Sequence, residues 1–298
     1  MQKTVAIFGA TGAQGAPVVT QALNNSLIVR AVGRDAEKIR KMHPDAEAFV
    51  ATLDDENAIA TALDGVDAAF LHLPMPQNPE DPQTWLTAFI TAAKKVSLPL
   101  MVYTTSGPSG ARYASSVVID GATGGMQAVL NSGIPAIVLQ PTIYLENMQS
   151  DVFLPNLRSK GVLDYPPLSA ATKLQWISHQ DQASIAVAAL DRPDLAGKSY
   201  EIGSPGALTG PETAELVGKW LDQPVTFSPI TASEFGQRVG DAIGSPGAAF
   251  ALEDLYGSLS KLTGDEMVVN TKSVEQTFGV TLKTVAAHLA DWPKAQAE

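Results

Sequence analysis

Along the first half of the chain, short apolar runs alternate with longer amphipathic ones. Thr4–Phe8, Ile28–Val32, Ala48–Ala51, Ala68–Leu73, Leu100–Thr104 and Ala136–Leu139 are apolar at both odd and even positions. A strand with one wet face would alternate; a strand apolar on both faces belongs between two layers of helices. The segments 13–24, 36–42, 55–63, 82–96 and 122–132 separate them and read as helices. In 82–96, Trp85, Phe89, Ala92 and Val96 recur at helical spacing, Asp81 is placed to cap, and Pro82 suits a first helical position. This alternation predicts an α/β fold: a doubly wound parallel sheet with helices on both faces.

The rhythm breaks after about residue 145. Helices are expected near 180–190 and 211–221, a strand at Val225–Ser228, and glycine-interrupted helix over 232–263. A segment near 196–203, with Ser199–Ile202 at its centre, is placed to return to the sheet as an edge strand. The predicted organisation is a dinucleotide-binding region over 1–150 and a smaller, mixed substrate-side region over 151–298. Phe153, Leu154, Leu157, Tyr165 and Trp176 would line an aromatic cleft or pack as core. Asp181, after Trp176-Ile177-Ser178-His179-Gln180, reads as a helix cap.

Composition narrows the chemistry. Twenty Lys+Arg against thirty-one Asp+Glu leave a net charge of −11, which repels phosphate backbones, and no basic patch offsets it. Direct nucleic-acid binding is therefore not expected. There is no cysteine, which removes disulfides, thiolate catalysis and cysteine–zinc sites, and the four histidines are scattered, so no metal site is expected. The first apolar run is too short for a signal-peptide core, and no run reaches the ~18–20 apolar residues of a membrane span. A cytoplasmic protein without membrane attachment is expected.

The strongest local signal is Gly9-Ala10-Thr11-Gly12-Ala13-Gln14-Gly15, between an apolar strand and a helix. In such a loop the first glycine permits a tight turn, the second lets backbone approach a pyrophosphate, and the third lets the helix pack on the strand. Free N–H groups at the helix start then face the phosphates. The spacing 9, 12, 15 is that of the short-chain dehydrogenase/reductase superfamily, and the wording of the loop resembles its NmrA-like, atypical branch. The resemblance continues through Val29–Arg34, Ala62–Asp67, Pro141–Asn147 and Leu208–Glu212, and so covers most of residues 3–225. It implies a Rossmann domain with a small C-terminal region. Members of that branch include NADPH-dependent reductases of quinones, dyes and phenolic compounds, and also regulators that bind the dinucleotide without reducing anything.

The end of the second strand bears on which dinucleotide would bind. An NAD site carries Asp or Glu there; this chain has Gly33-Arg34. A permanently charged guanidinium suits a 2′-phosphate and stacks on adenine. The cofactor expected is therefore NADP(H), with Arg34 as discriminator and Asp35 beside it as a competing charge. By resemblance, further cofactor contacts fall on Thr52-Leu53-Asp54 around the adenine, Leu73-Pro74-Met75 near the ribose, and Tyr144-Leu145-Glu146-Asn147 toward the nicotinamide.

Most of the superfamily uses a Tyr with a Lys four residues later, the cation lowering the phenol pKa for proton exchange. No such pair exists here: the tyrosines are followed at that offset by Gly, Val, Met, Ser, Ser and Ser. Ser106, after the fifth strand, and Tyr113 are the catalytic candidates; Tyr144, His72 and His179 are further polar groups to place. Gly124 and Gly125 would leave room for a bulky substrate or serve close packing. The expected activity is hydride transfer from NADPH to a conjugated, quinone-like or aromatic small molecule. The alternatives are an NADP(H) sensor acting through a protein partner, or a non-redox isomerase or cyclase on the same fold. A small hydrophobic or aromatic substrate is the partner expected, and a homodimer or protein partner is compatible with the sequence.

Overall fold

The structure, a computed structural model, describes residues 2–294 except 77, 79, 115 and 167. Its centre is a sheet of seven strands: β1 (Thr4–Phe8), β2 (Ile28–Gly33), β3 (Glu47–Val50), β4 (Ala68–His72), β5 (Met101–Thr104), β6 (Ala136–Pro141) and β10 (Lys198–Ile202). Their order is β10-β6-β5-β4-β1-β2-β3, and every neighbouring pair is parallel. Two short pairs lie outside it: β7 (Ile143–Tyr144) with β9 (Trp176–Ile177), and β8 (Val162–Leu163) with β11 (Thr226–Phe227). The helices are α1 (Gly15–Asn24), α2 (Ala36–Met42), α3 (Glu56–Leu63), α4 (Asp81–Lys95), α5 (Val117–Leu130) and α6 (Pro155–Lys160). They continue with α7 (His179–Ala189), α8 (Gly210–Leu221), α9 (Ala232–Ile243), α10 (Pro246–Leu259), α11 (Thr271–Phe278) and α12 (Val285–Asp291).

The two-sided apolar pattern is explained by the layers. Val5, Ile7, Ala68, Phe70, Val102, Ile137 and Leu139 enter one core with residues of α1, α7 and α11. Their odd–even partners Ala6, Phe8, Ala69, Leu71, Met101, Tyr103 and Val138 enter the opposite core with α3 and α4. Successive residues of a strand point to opposite faces, so each strand feeds both cores. The result is a Rossmann-type, doubly wound sheet.

Several helix starts differ from the sequence reading. Asp81 lies inside α4; Glu80 is the residue before it, and the Asp81 carboxylate accepts from the Asn78 amide at 2.8 Å. α5 begins five residues earlier than expected because Ser116, whose Oγ accepts from the Ile119 amide, caps it. Asp181 is not a cap either. Ser178 caps α7, accepting from the Asp181 amide at 2.9 Å. Pro17 is the third residue of α1, where its missing N–H has no intrahelical acceptor to lose.

The region after residue 145 builds its own core. Leu154, Leu157, Tyr165 and Trp176 are fully buried there, so they are packing residues and not cleft lining. Tyr165, Phe235 and Tyr256 stack edge to face at 5.0–5.5 Å. Buried Asp164 accepts from Arg238 at 2.6 Å and Asn156 at 2.9 Å, which satisfies its charge. α12 is pinned to α7 through buried His288, whose Nε2 lies 2.9 Å from both Asp181 Oδ2 and Ser178 Oγ. A relay triad would use the two ring nitrogens separately. Here one nitrogen meets both partners, so the cluster is a tie between helices.

Candidate functional site

The sheet reverses its direction of build between β1 and β4, and an open crevice forms at the carboxyl ends of such strands. A cleft of about 430 Å³ occupies that place. Among the sequence-predicted residues it is lined by Gly9, Thr11, Gly12, Arg34, Thr52, Leu53, Asp54, Pro74 and Met75; His72 and Trp85 also face it. The volume falls in the range of small-molecule and cofactor sites.

Gly9 has φ +75°, a left-handed conformation that side chains resist, and it turns the chain sharply out of β1. A Cβ on Gly15 would stand 2.2 Å from the Gly9 carbonyl oxygen, so only glycine lets α1 begin against the loop. Ala10 is buried and its amide bonds the Val32 carbonyl, tying the loop to β2; Ala13 is exposed at the loop's tip. The first turn of α1 has no acidic residue and no side-chain cap. The Ala16 amide bonds the Gly12 carbonyl and Pro17 has no N–H, so what the helix start offers an anion is chiefly its positive dipole end.

Arg34 is exposed at the rim and makes no ion pair among the described residues. Asp35, the neighbouring acid, is occupied elsewhere: its carboxylate caps α2, accepting from the Glu37 and Lys38 amides at 2.9 and 3.0 Å. His72 ends β4 with its Nε2 buried and unpartnered, directly under the loop, where a Cβ on Gly9 would come within 2.2 Å of it. Burial holds its pKa below the ordinary value, so the ring is neutral near pH 7. The cradle of glycines, the uncapped helix, the free guanidinium and the unpartnered Nε2 of His72 fit a phosphorylated dinucleotide.

The second part of the site lies beyond the loop. Gln14 does not cap α1. Its Oε1 instead accepts from Tyr144 OH at 2.9 Å, Gln182 Nε2 at 3.2 Å and Ser106 Oγ at 3.4 Å. Tyr144 OH also lies 2.7 Å from Gln182 Oε1. The His179 ring packs on Tyr144 with centroids 4.5 Å apart. Glu146 Oε1 accepts from the His179 amide at 2.9 Å, and its Oε2 stands 3.6 Å from His179 Nδ1 with no hydrogen bond. Burial pushes Glu146 up to about 7 and, with some help from His72, pushes His179 down to about 4. Tyr144 is raised well beyond an ordinary phenol by burial, which makes it a poor proton donor.

The remaining predicted positions have other surroundings. Leu145 is fully buried core and Leu73 packs at the edge of a core. Asn147 donates to Tyr165 OH at 2.8 Å. Ser106 has φ +60°, and its amide donates to Thr104 Oγ1 at 3.2 Å. Tyr113 packs against the C-terminal core, with the Arg112 guanidinium 5.4 Å from its ring centre and Arg112 paired to Glu201 at 2.6 Å. No contact joins it to Ser106 among the described residues. Gln182, central to the cluster, carried no sequence signal. Gly125 would bring a Cβ within 3.2 Å of Tyr103 OH, a packing role, whereas Gly124 faces open space.

Among the described residues no group of metal-ligating side chains is assembled, and no helix is long and apolar enough to cross a membrane. The chain is 31% identical over 255 residues to an NAD(P)H azoreductase of Xenophilus azovorans, covering 85% of this chain and 86% of that one. Among solved structures it resembles an NADPH-dependent quinone oxidoreductase of Escherichia coli complexed with NADPH, with TM-score 0.79, 23% identity and coverage of 96% and 98%. A triphenylmethane reductase of Citrobacter sp. complexed with NADP(H) aligns with TM-score 0.79 at 18% identity, over 96% and 99%. The model of the NmrA-like family matches residues 1–285. Glycine loop, sheet order and family match agree: this chain belongs to the NmrA-like family.

Proposed function

We propose that the protein is an NADPH-dependent reductase that delivers hydride to a conjugated, quinone-like or aromatic small molecule. The observation that carries this is the cleft at the carboxyl ends of β1, β2 and β4, where the glycine loop that leads into α1 and the unpaired Arg34 line the same space. The azoreductase and the two reductase structures supply the reaction class. When bound, the dinucleotide supplies the hydride; the protein holds, orients and shields.

In this reading the amides of Thr11 and Ala13 and the α1 dipole hold the diphosphate, and Arg34 holds the 2′-phosphate. Thr52, Leu53 and Asp54 border the adenosine, while Pro74 and Met75 border the ribose. Ser106 and Tyr144, tied to the loop through Gln14, face the reacting end. Tyr113 is assigned to the wall of the acceptor site. Without a Tyr–Lys pair the protein favours acceptors that are strong electrophiles, because those take hydride before any proton is needed.

Steady-state oxidation of NADPH against a panel of quinones, azo dyes and cationic triarylmethane dyes tests the assignment. Turnover with at least one class is expected. The missing Tyr–Lys pair favours a second reading, a dinucleotide-binding regulator. No turnover with any acceptor, together with capture of a protein partner that depends on NADPH against NADP⁺, would select it.

A further inference from the structure

The site lacks the acid that most of the superfamily uses, yet it contains a carboxyl group that its own geometry does not explain. Glu146 sits in the single turn after β7, beside the first residue of α7. One oxygen is accounted for by the His179 amide. The other, Oε2, is buried, accepts nothing, and faces His179 Nδ1 at 3.6 Å. A buried carboxylate oxygen with no donor is costly, while a buried carboxylic acid can place a proton toward a neighbouring nitrogen. His179 in turn packs on Tyr144 with the two rings tilted by 47°, and the Tyr144 hydroxyl is bonded to the glycine loop through Gln14. Carboxyl, imidazole and phenol thus form a continuous run that reaches the glycine loop through Gln14.

We propose that Glu146, acting through His179, is the proton source for acceptors that need a proton after receiving hydride. This rests on the reductase reading above. An acceptor such as a quinone takes two electrons with the hydride and becomes an oxyanion. His179 Nε2–H gives its proton to that oxygen, forming the O–H bond, while Nδ1 takes the proton from Glu146 Oε2. The imidazole ends neutral in its other tautomer. Glu146 ends as a carboxylate and regains its proton from water between turnovers. The charge ledger of the run suits this direction. Burial raises the Glu146 carboxyl most, with Asp181 adding to it, while the His179 amide and His288 lower it; burial keeps His179 neutral, and the Tyr144 phenol holds its proton. Glu146 is a positioning residue in this scheme, since His179 is the group that meets the acceptor.

The test compares two acceptors. A cationic triarylmethane dye becomes a neutral leuco dye on taking hydride and needs no proton; a quinone needs one. Glu146→Gln should lower the quinone-to-dye rate ratio on the order of 100-fold, the scale of general acid catalysis. Wild-type quinone turnover should fall as pH rises above about 7, and Glu146→Gln should lose that dependence. Independently of turnover, infrared difference spectra of the ligand-free protein between pH 6 and pH 8 should show one protonated carboxyl band that Glu146→Gln removes. His179→Gln should keep that band and lose the quinone arm. An unchanged quinone-to-dye ratio in Glu146→Gln, or no such band at pH 6, overturns the proposal while leaving the reductase reading standing. Wild type that turns over neither acceptor overturns both.

Discussion

Replacing Arg34 by alanine isolates one charge at one end of the site. The guanidinium is exposed, without an ion pair among the described residues, and its acidic neighbour Asp35 is committed to the α2 amides. The substitution therefore breaks no internal contact, and stability should be unchanged within about 0.5 kcal/mol. Toward a 2′-phosphate the loss is a charge-assisted hydrogen bond, roughly 1.5–3 kcal/mol. Exposure and solvent screening place the value in the lower part of that range, about 2 kcal/mol, or about 30-fold in Kd. Calorimetric titration of wild type and Arg34→Ala with NADPH and NADH measures it. NADPH should weaken by about that factor and NADH by less than about threefold. The wild-type preference should also shrink between 0.1 and 1 M salt, as the screening length falls from about 10 to about 3 Å. Equal weakening of both coenzymes, or a wild type that prefers NADH, would refute the assignment of the 2′-phosphate to Arg34.

Three further outcomes are expected. Gly15→Ala places a Cβ 2.2 Å from the Gly9 carbonyl oxygen, so it should cost about 1–3 kcal/mol in urea unfolding and abolish detectable coenzyme binding. Gly124→Ala puts a methyl group into open space on α5 and should stabilise by about 0.5–1 kcal/mol, read as a rise in Tm. The third outcome concerns pH. Glu146 is raised from 4.5 to about 7 in the folded chain, so its contribution to stability is full below pH 4.5 and is lost as pH rises through 7; the denaturation midpoint of wild type should fall relative to Glu146→Gln across that window. His179, lowered from 6.5 to about 4, has the opposite sign, with stability present above 6.5 and lost as pH falls through 4, which His179→Gln should flatten.

Local rules explain which parts of this molecule could be read from its sequence. β1 was legible to the residue because four apolar residues after Thr4 ended at a glycine that must turn. The lining positions from Gly9 to Met75 were legible because each follows the carboxyl end of a strand, and topology alone brings those ends together. The start of α5 was not. Its opening residues are β-branched and its middle holds two glycines, so propensity placed the start late; the cap at Ser116 and the docking of Asp254 on the Val118 amide set it instead. Asp181 failed as a cap because its carboxylate is drawn to Ser204 and His288, the latter about a hundred residues away. Gln182 gains its meaning only from the start of α7 reaching Gln14 of the glycine loop, a long-range placement that no local pattern records.

The Gln14 cluster can be counted as protons, and the count identifies its most releasable member. A carbonyl oxygen has two lone pairs, yet Gln14 Oε1 is approached by three donors, from Tyr144, Gln182 and Ser106. Tyr144 has a single proton and two acceptors within 2.9 Å, so it serves Gln14 or Gln182 but not both at once. If it serves Gln182, whose Oε1 also receives Thr104, then Gln14 is left with two donors and is satisfied. If it serves Gln14, the Ser106 contact, the longest at 3.4 Å, is the surplus one. Of the donors in the cluster, the Ser106 hydroxyl is therefore the one released at the smallest loss. That hydroxyl is carried on a backbone held at φ +60°, a conformation costing a serine about 1–2 kcal/mol. The strain is offset within the fold by the amide bond to Thr104, and it aims the side chain at the loop instead of into the core. The same Gln14 that leaves the start of α1 without a side-chain cap thus also sets the hydrogen-bond state of Tyr144, Gln182 and Ser106.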